Sequence, residues 1–270
     1  MKSEVQKIVC DPTRIMGLYH YWRKKEDVES FLTSEAYATM FVWNELYQLP
    51  YKNFLMKFLQ RLGVNEKDFA IHKIEFEQKL HLNKTPVIKP DVLIKSDKNV
   101  IAFEFKNFYK GGSKFQKEQI PREYFAALKE AKGNPAYLIL VVNEDMVQAD
   151  EDGEFVERVK IEGKGNKKPY QEINNYSKLF LEREKSLRPQ FKKHFNKDKI
   201  LIFTWRMFLR ELYVQLGSSK KKAKNRDLEE IYDRVQERIK AFVLVRSAYA
   251  NRRHNPETWK KYCSGQKVFA

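Results

Sequence analysis

The chain is 270 residues long, 33% of them charged and 42% apolar or aromatic, with 52 Lys and Arg against 36 Asp and Glu and a formal net charge of +16. That length and apolar content bound it as a folded protein with one large core and appendages, and the positive excess points to a polyanion partner or an anionic membrane surface. There is no stretch of about 18 apolar residues to predict a transmembrane helix, Met1–Gln6 opens no signal-peptide apolar region, and Cys10 and Cys263 alone make neither a disulfide framework nor a zinc site, so a cytoplasmic protein without a membrane partner is expected.

Residues 1–62 read as helical. Val28, Phe31, Leu32 and Ala36 mark a helix over Asp27–Phe41, and a second runs from Met40 to about Leu49, ahead of Pro50. Phe54, Leu55, Phe58, Leu59 and Leu62 give Lys52–Leu62 a helical period that Gly63 ends. Ile71–Leu82 alternates as a strand, with Ile74, Phe76 and Leu80 on one side and Lys73, Glu75, Glu77 and Lys79 on the other. A hairpin over Asp91–Lys106 follows. Lys110–Lys114, with Gly111 and Gly112, is a loop suited to touching substrate or a plain surface connection.

Gln119 opens a helix with Pro121 near its start, running to Lys132 and ended by Gly133. Ala136–Val142 is a continuous apolar run, the pattern of a strand buried on both faces, and Lys199–Trp205 is a second. Between them Asn143–Lys168 is a polar excursion, first acidic (Glu144, Asp145, Asp150, Glu151, Asp152) and then basic (Lys164, Lys167, Lys168), with a short strand expected over Phe155–Ile161. Residues 174–195 read as a packing helix with Leu179, Phe180, Leu181, Leu187 and Phe191.

Gly217–Arg226 reads as a linker whose Lys220, Lys221, Lys222 and Lys224 suit phosphate contacts. Asp227 is then expected to cap a helix from Leu228 to about Tyr249, its stripe of Leu228, Ile231, Val235, Ile239, Phe242 and Val243 facing a core or a dimer partner. Arg252, Arg253, Trp259, Lys260, Lys261 and Tyr262 form a basic, aromatic tail. The order helix, strand, hairpin, helix, strand, excursion, strand, helix predicts an α/β layered fold with a central sheet flanked by helices and helical additions at both ends. Its parts are a helical segment 1–62, a core 63–216 and a C-terminal segment 217–270.

The hairpin carries the chemistry. If Ser96–Asn99 is the turn, Lys95 pairs with Val100 and the register runs back to Asp91 opposite Glu104. Directly opposed Cβ atoms stand about 4.5–5.5 Å apart, and like charges there repel. A divalent cation removes that conflict, and two carboxylates with water and phosphate oxygens suit Mg²⁺. Lys106, two residues past Glu104, lies on the same face, where it can orient a water or stabilise developing charge, while Phe103 and Phe105 point to a core.

Pro90-Asp91 and Glu104-Phe105-Lys106, with the apolar strand leading into them, resemble the PD-(D/E)xK nuclease superfamily, which has the restriction-endonuclease-like fold. The resemblance covers about 17 residues. It implies that Asp91 and Glu104 hold Mg²⁺ or Mn²⁺, that the Phe105 backbone carbonyl adds a ligand, and that Lys106 assists the attacking water. It also implies an acid from an N-terminal helix, for which Glu45 in Phe41–Tyr47 stands in place; Glu75 and Glu77 are alternatives. Several branches place a Gln or a basic residue on the helix after the Lys strand, where Gln119 and Arg122 stand. One branch has Gln and Tyr four apart there, whereas Gln119 and Tyr124 are five apart.

His20, His72, His81, His194 and His254 lack metal-ligand spacing, and no nucleotide-binding loop or nucleophile elbow is present. The expected activity is metal-dependent hydrolysis of phosphodiester bonds in DNA, with RNA open, in defence, restriction or DNA processing. Cutting both strands would need a homodimer or a partner subunit. The alternative is a basic nucleic-acid-binding module, a silent member of the fold acting in a complex.

Overall fold

The structure is a computed structural model that describes residues 9–10, 35–82, 88–106, 114–149 and 156–250. The start of the first expected helix, Gly111–Gly112, the acids Asp150–Asp152 and the basic tail from Arg252 lie outside the described residues.

The mixed α/β class expected from the pattern is the one observed. The central sheet runs in the order β1 (Val9–Cys10), β2 (Ile71–Phe76), β3 (Val92–Ser96), β4 (Val100–Phe105), β5 (Ala136–Val142) and, at its far edge, Ile200–Thr204. Strands β2, β3 and β4 are antiparallel neighbours, whereas β4, β5 and the Ile200–Thr204 strand are parallel. All residues of β4 and β5 are buried, as two-sided apolar strands in the middle of a layered sheet must be.

Two cores follow from this sandwich. On one face α1 (Glu35–Tyr47) and α2 (Tyr51–Arg61) bring Trp43, Phe54 and Phe58 against Phe103 and Phe105. Trp43 meets Phe103 edge-on at 5.4 Å between ring centroids, a preferred aromatic geometry. On the other face α3 (Gln119–Glu130) crosses from β4 to β5 and lays Tyr124, Phe125 and Leu128 on Ala102, Leu138 and Leu140.

The described residues of the polar excursion form a small antiparallel sheet of β6 (Val147–Ala149), β7 (Val156–Ile161) and β8 (Gly165–Lys167). It is followed by α4 (Pro169–Arg183) and α5 (Arg188–His194). Phe180 and Leu187 join the second core, but Leu179 is exposed. The edge strand β9 (Ile200–Thr204) leads directly into α6 (Trp205–Lys220), and α7 (Arg226–Ala250) closes the described chain.

Several expectations change. Strand β2 stops at Phe76, not Leu82, because Glu77 adopts a left-handed φ of 45° and turns the chain. The second apolar run is an edge strand, and its three central residues are only half-buried. Gly217–Lys220 is not a linker but the last turn of α6, with Gln215 Nε2 donating to Ser219 Oγ at 2.9 Å and Lys221 N–H to the Gly217 carbonyl at 3.1 Å. The helical Gly217 costs about 1 kcal/mol relative to Ala, which burial of Leu212 and Leu216 in the first core offsets. Asn225, not Asp227, caps α7: its Oδ1 accepts from Leu228 N–H at 3.0 Å. The α7 stripe faces a core, one of the two expected destinations: Val235, Ile239 and Phe242, with Tyr232, enter the first core.

Candidate active site

Lys95 pairs with Val100 and Val92 with Phe103, the register read from the four-residue turn. One step further it sets Asp91 opposite Glu104, at the end of the sheet where β4 and β5 finish. The ladder stops there, and the Asp91 side chain takes the next backbone donor: Phe105 N–H donates to Asp91 Oδ2 at 2.7 Å. Glu77 N–H donates to the Asp91 carbonyl at 3.2 Å. The Asp91 carboxylate is thereby held by main chain on the strand that carries Glu104.

Glu104 is 5% exposed and Lys106 7%. Their side chains meet, Lys106 Nζ standing 2.6 Å from Glu104 Oε1. Lys106 also lies over the Phe115 ring at 5.1 Å from its centroid, a cation–π contact. Its backbone is fixed from two sides: its N–H donates to the Val141 carbonyl at 2.7 Å, and its carbonyl accepts from Trp205 Nε1 at 2.7 Å.

Helix α3 supplies the rest. Gln119 Nε2 donates to Glu104 Oε1 at 2.5 Å and to Glu123 Oε1 at 2.9 Å, linking two carboxylates through one amide. Glu123 was not singled out in the sequence. It is 3% exposed, and its Oε2 is buried without a hydrogen-bond partner. Burial, then the neighbouring charge of Glu104, pushes its carboxyl well above the usual range, against the pull of Lys106 and the Gln119 hydrogen bond; Asp91 adds a smaller upward push. Position i+4 from Gln119 on one helix face was the signal that could have found it. Tyr124, one residue on, is buried in the second core with its hydroxyl unpartnered.

The rim is strained. Among the described residues four non-glycine positions have a positive φ, and two of them, Glu77 and Glu118 (φ 65°), flank Asp91 and Gln119 respectively. Each costs on the order of 1–2 kcal/mol.

Other expected residues make contacts with groups other than Asp91 and Glu104. Helix α1 packs on the opposite face of β4, and buried Glu45 accepts from Gln48 Nε2 at 2.9 Å and pairs with Arg238 at 3.3 Å. None of its hydrogen bonds among the described residues reaches Asp91 or Glu104. Arg122 Nε bonds the Glu118 carbonyl at 3.2 Å rather than the acids. Lys220 pairs with Asp233 at 2.7 Å, while Lys221, Lys222 and Lys224 are exposed in the α6–α7 turn. That turn is separated from Trp205 by the length of α6, about 24 Å of helix rise. Glu75 is taken up by Lys73 at 2.6 Å and Lys95 at 3.0 Å.

Oxygen donors fit a hard divalent cation: Asp91 stands opposite Glu104 by register, Glu123 feels the charge of both, and its Oε2 is buried without a hydrogen-bond partner. No group of three or more His, Cys, Asp or Glu among the described residues is already drawn together in cation-holding geometry. No helix among them is long and apolar enough to cross a membrane. No family model matches the chain, and no curated protein or solved structure matches it.

Proposed function

We propose that the chain is a metal-dependent nuclease of the PD-(D/E)xK kind, with a restriction-endonuclease-like core, that hydrolyses phosphodiester bonds in DNA. The observation that carries this reading is the hairpin register that opposes Asp91 to Glu104 with Lys106 bonded to Glu104. The antiparallel β2–β3–β4 run continued by parallel β5 and β9, with α3 crossing over the site, supports the core assignment.

Asp91, Glu104 and the Phe105 carbonyl would hold Mg²⁺ or Mn²⁺, which supplies a Lewis acid for phosphate oxygens. The chain's own residues do the rest. Phe105 N–H orients the Asp91 carboxylate. Gln119 keeps Glu104 and Glu123 in place against their repulsion. Lys106 donates hydrogen bonds toward the attacking water and the negative phosphate oxygens. Water adds to phosphorus and gives up a proton to solvent, the bond to the leaving oxygen breaks, and that oxygen takes up a proton.

Plasmid, single-stranded DNA and RNA incubated with Mg²⁺ or Mn²⁺ test this, wild type beside Asp91→Ala. Metal-dependent cutting lost in the variant is the expected result. A second reading, a nucleic-acid-binding relative that does not cut, is favoured by the lack of a ready-made cation cluster among the described residues. Salt-sensitive binding without cutting would select it.

A further inference from the structure

The basic α6–α7 turn is about one helix length from Lys106, so phosphate contacts near the site need other cations. Helix α6 supplies them at its opposite end. Trp205, its first residue, donates to the Lys106 carbonyl, so the first turns of α6 are continuous with the site. Arg206 and Arg210 stand four apart on one face of that helix. Both line a cavity of about 470 Å³ together with Trp205, Leu209, Tyr213 and Val243, with Glu144 as its one acid. Arg206 makes no ion pair among the described residues, and Arg210 has only a 3.9 Å approach to the adjacent Glu211, with its own side chain 75% exposed.

The cavity also lies where open α/β sheets bind ligands, beyond the carboxyl ends of parallel strands. Glu144 follows the end of β5, and Trp205 and Arg206 follow the end of β9, beside the end of β4 that carries Glu104. Two guanidinium groups, of which Arg206 makes no ion pair among the described residues and Arg210 only the 3.9 Å approach to Glu211, stand over an apolar floor and suit a strand of phosphodiester backbone: guanidinium forks match phosphate oxygens, and the floor accepts sugar and base edges.

We propose that the Arg206–Arg210 cleft holds the phosphate backbone of a nucleic-acid strand as it passes the Asp91–Glu104–Lys106 site; this rests on the nuclease reading above. The probe is a fluorescein-labelled single-stranded 15-mer, followed by anisotropy over a salt series with Ca²⁺ in place of Mg²⁺. The variants are Arg206→Ala/Arg210→Ala, Arg206→Lys/Arg210→Lys and Lys221→Ala/Lys222→Ala/Lys224→Ala, with thermal melts to check folding. The double alanine variant is expected to bind about tenfold more weakly, with the slope of log K against log salt reduced by about 1.4, the contribution of two phosphate contacts on a single strand. The double lysine variant should keep that slope. A double alanine variant within twofold of wild type, or a loss confined to the triple lysine variant, overturns the cleft while leaving the nuclease reading standing. A wild-type chain that binds no nucleic acid overturns both.

Discussion

Two clusters of acids and lysines sit around the same hairpin and are balanced differently. Near the turn end, Glu75 and Glu130 face Lys73 and Lys95, and each of the two acids has an ammonium within 3.0 Å. Burial pushes the Glu75 carboxyl up, but the two ammonium groups outweigh it and hold it below the usual range. At the other end Lys106 pairs with Glu104 at 2.6 Å, and the buried Glu123 is held well above the usual range by burial and the neighbouring charge of Glu104. In the first cluster both acids are ion-paired, although Glu75 Oε2 is buried without a hydrogen bond of good geometry. Among the described residues the second brings a raised, buried carboxyl beside Glu104 and Lys106, and a carboxylate buried there costs stability unless a cation or a proton meets it. Charge balance, more than the presence of charge, separates a structural cluster from a candidate site.

The largest expected effects fall on the unbalanced end. Asp91→Ala, Glu104→Ala and Lys106→Ala should each lower the cleavage rate by roughly 1,000-fold or more, measured on plasmid, with melting curves showing a folded protein. Full activity in any one would remove that residue from the site. Gln119→Ala should lower cleavage by about 10–100-fold, as loss of a group that orients ligands does, and Gln119→Glu should be worse because it adds a fourth carboxylate.

Glu123→Gln sharpens the comparison through pH. The folded-state carboxyl titrates above its unfolded value, so its stabilising contribution is fully present below the unfolded value, near 4.3, and is lost as pH rises through the raised folded value. The variant should therefore melt at or above the wild-type temperature at pH 8 in the absence of metal, with the difference closing toward pH 4. A variant less stable at pH 8 would show that the negative charge is tolerated in the fold. The smallest effect belongs to the balanced end. Glu75→Gln should lower stability by about 1 kcal/mol, since its partners are partly exposed, and should leave cleavage unchanged.

The hairpin was legible because strand pairing is a matter of counting: a four-residue turn fixes Lys95 opposite Val100, and Asp91 opposite Glu104 follows. The strand Ala136–Val142 was legible because two-sided burial leaves an unbroken apolar run. Ile200–Thr204 carries the same run at a half-exposed edge, so composition did not distinguish centre from edge. Gly217–Ser218–Ser219 resembles a linker locally, yet Leu212 and Leu216 packed against the sheet carry the helix through it. Glu45 stood on the expected helix, but which cation it meets is decided by α7, 193 residues away along the chain. Glu123 stands four residues after Gln119 on one helix face, a spacing that puts it near the site, but the burial and the Glu104 charge that set it apart are tertiary.

Whether the carboxylates at the end of β4 form a divalent-cation site is decided by titration of Mn²⁺ into wild type, Asp91→Ala and Glu104→Ala, followed by calorimetry and by the electron paramagnetic resonance signal of free Mn²⁺. Wild type is expected to bind Mn²⁺, with binding lost or weakened by at least about tenfold in both variants. Absence of Mn²⁺ binding by wild type, or equal binding by all three proteins, would contradict this expectation.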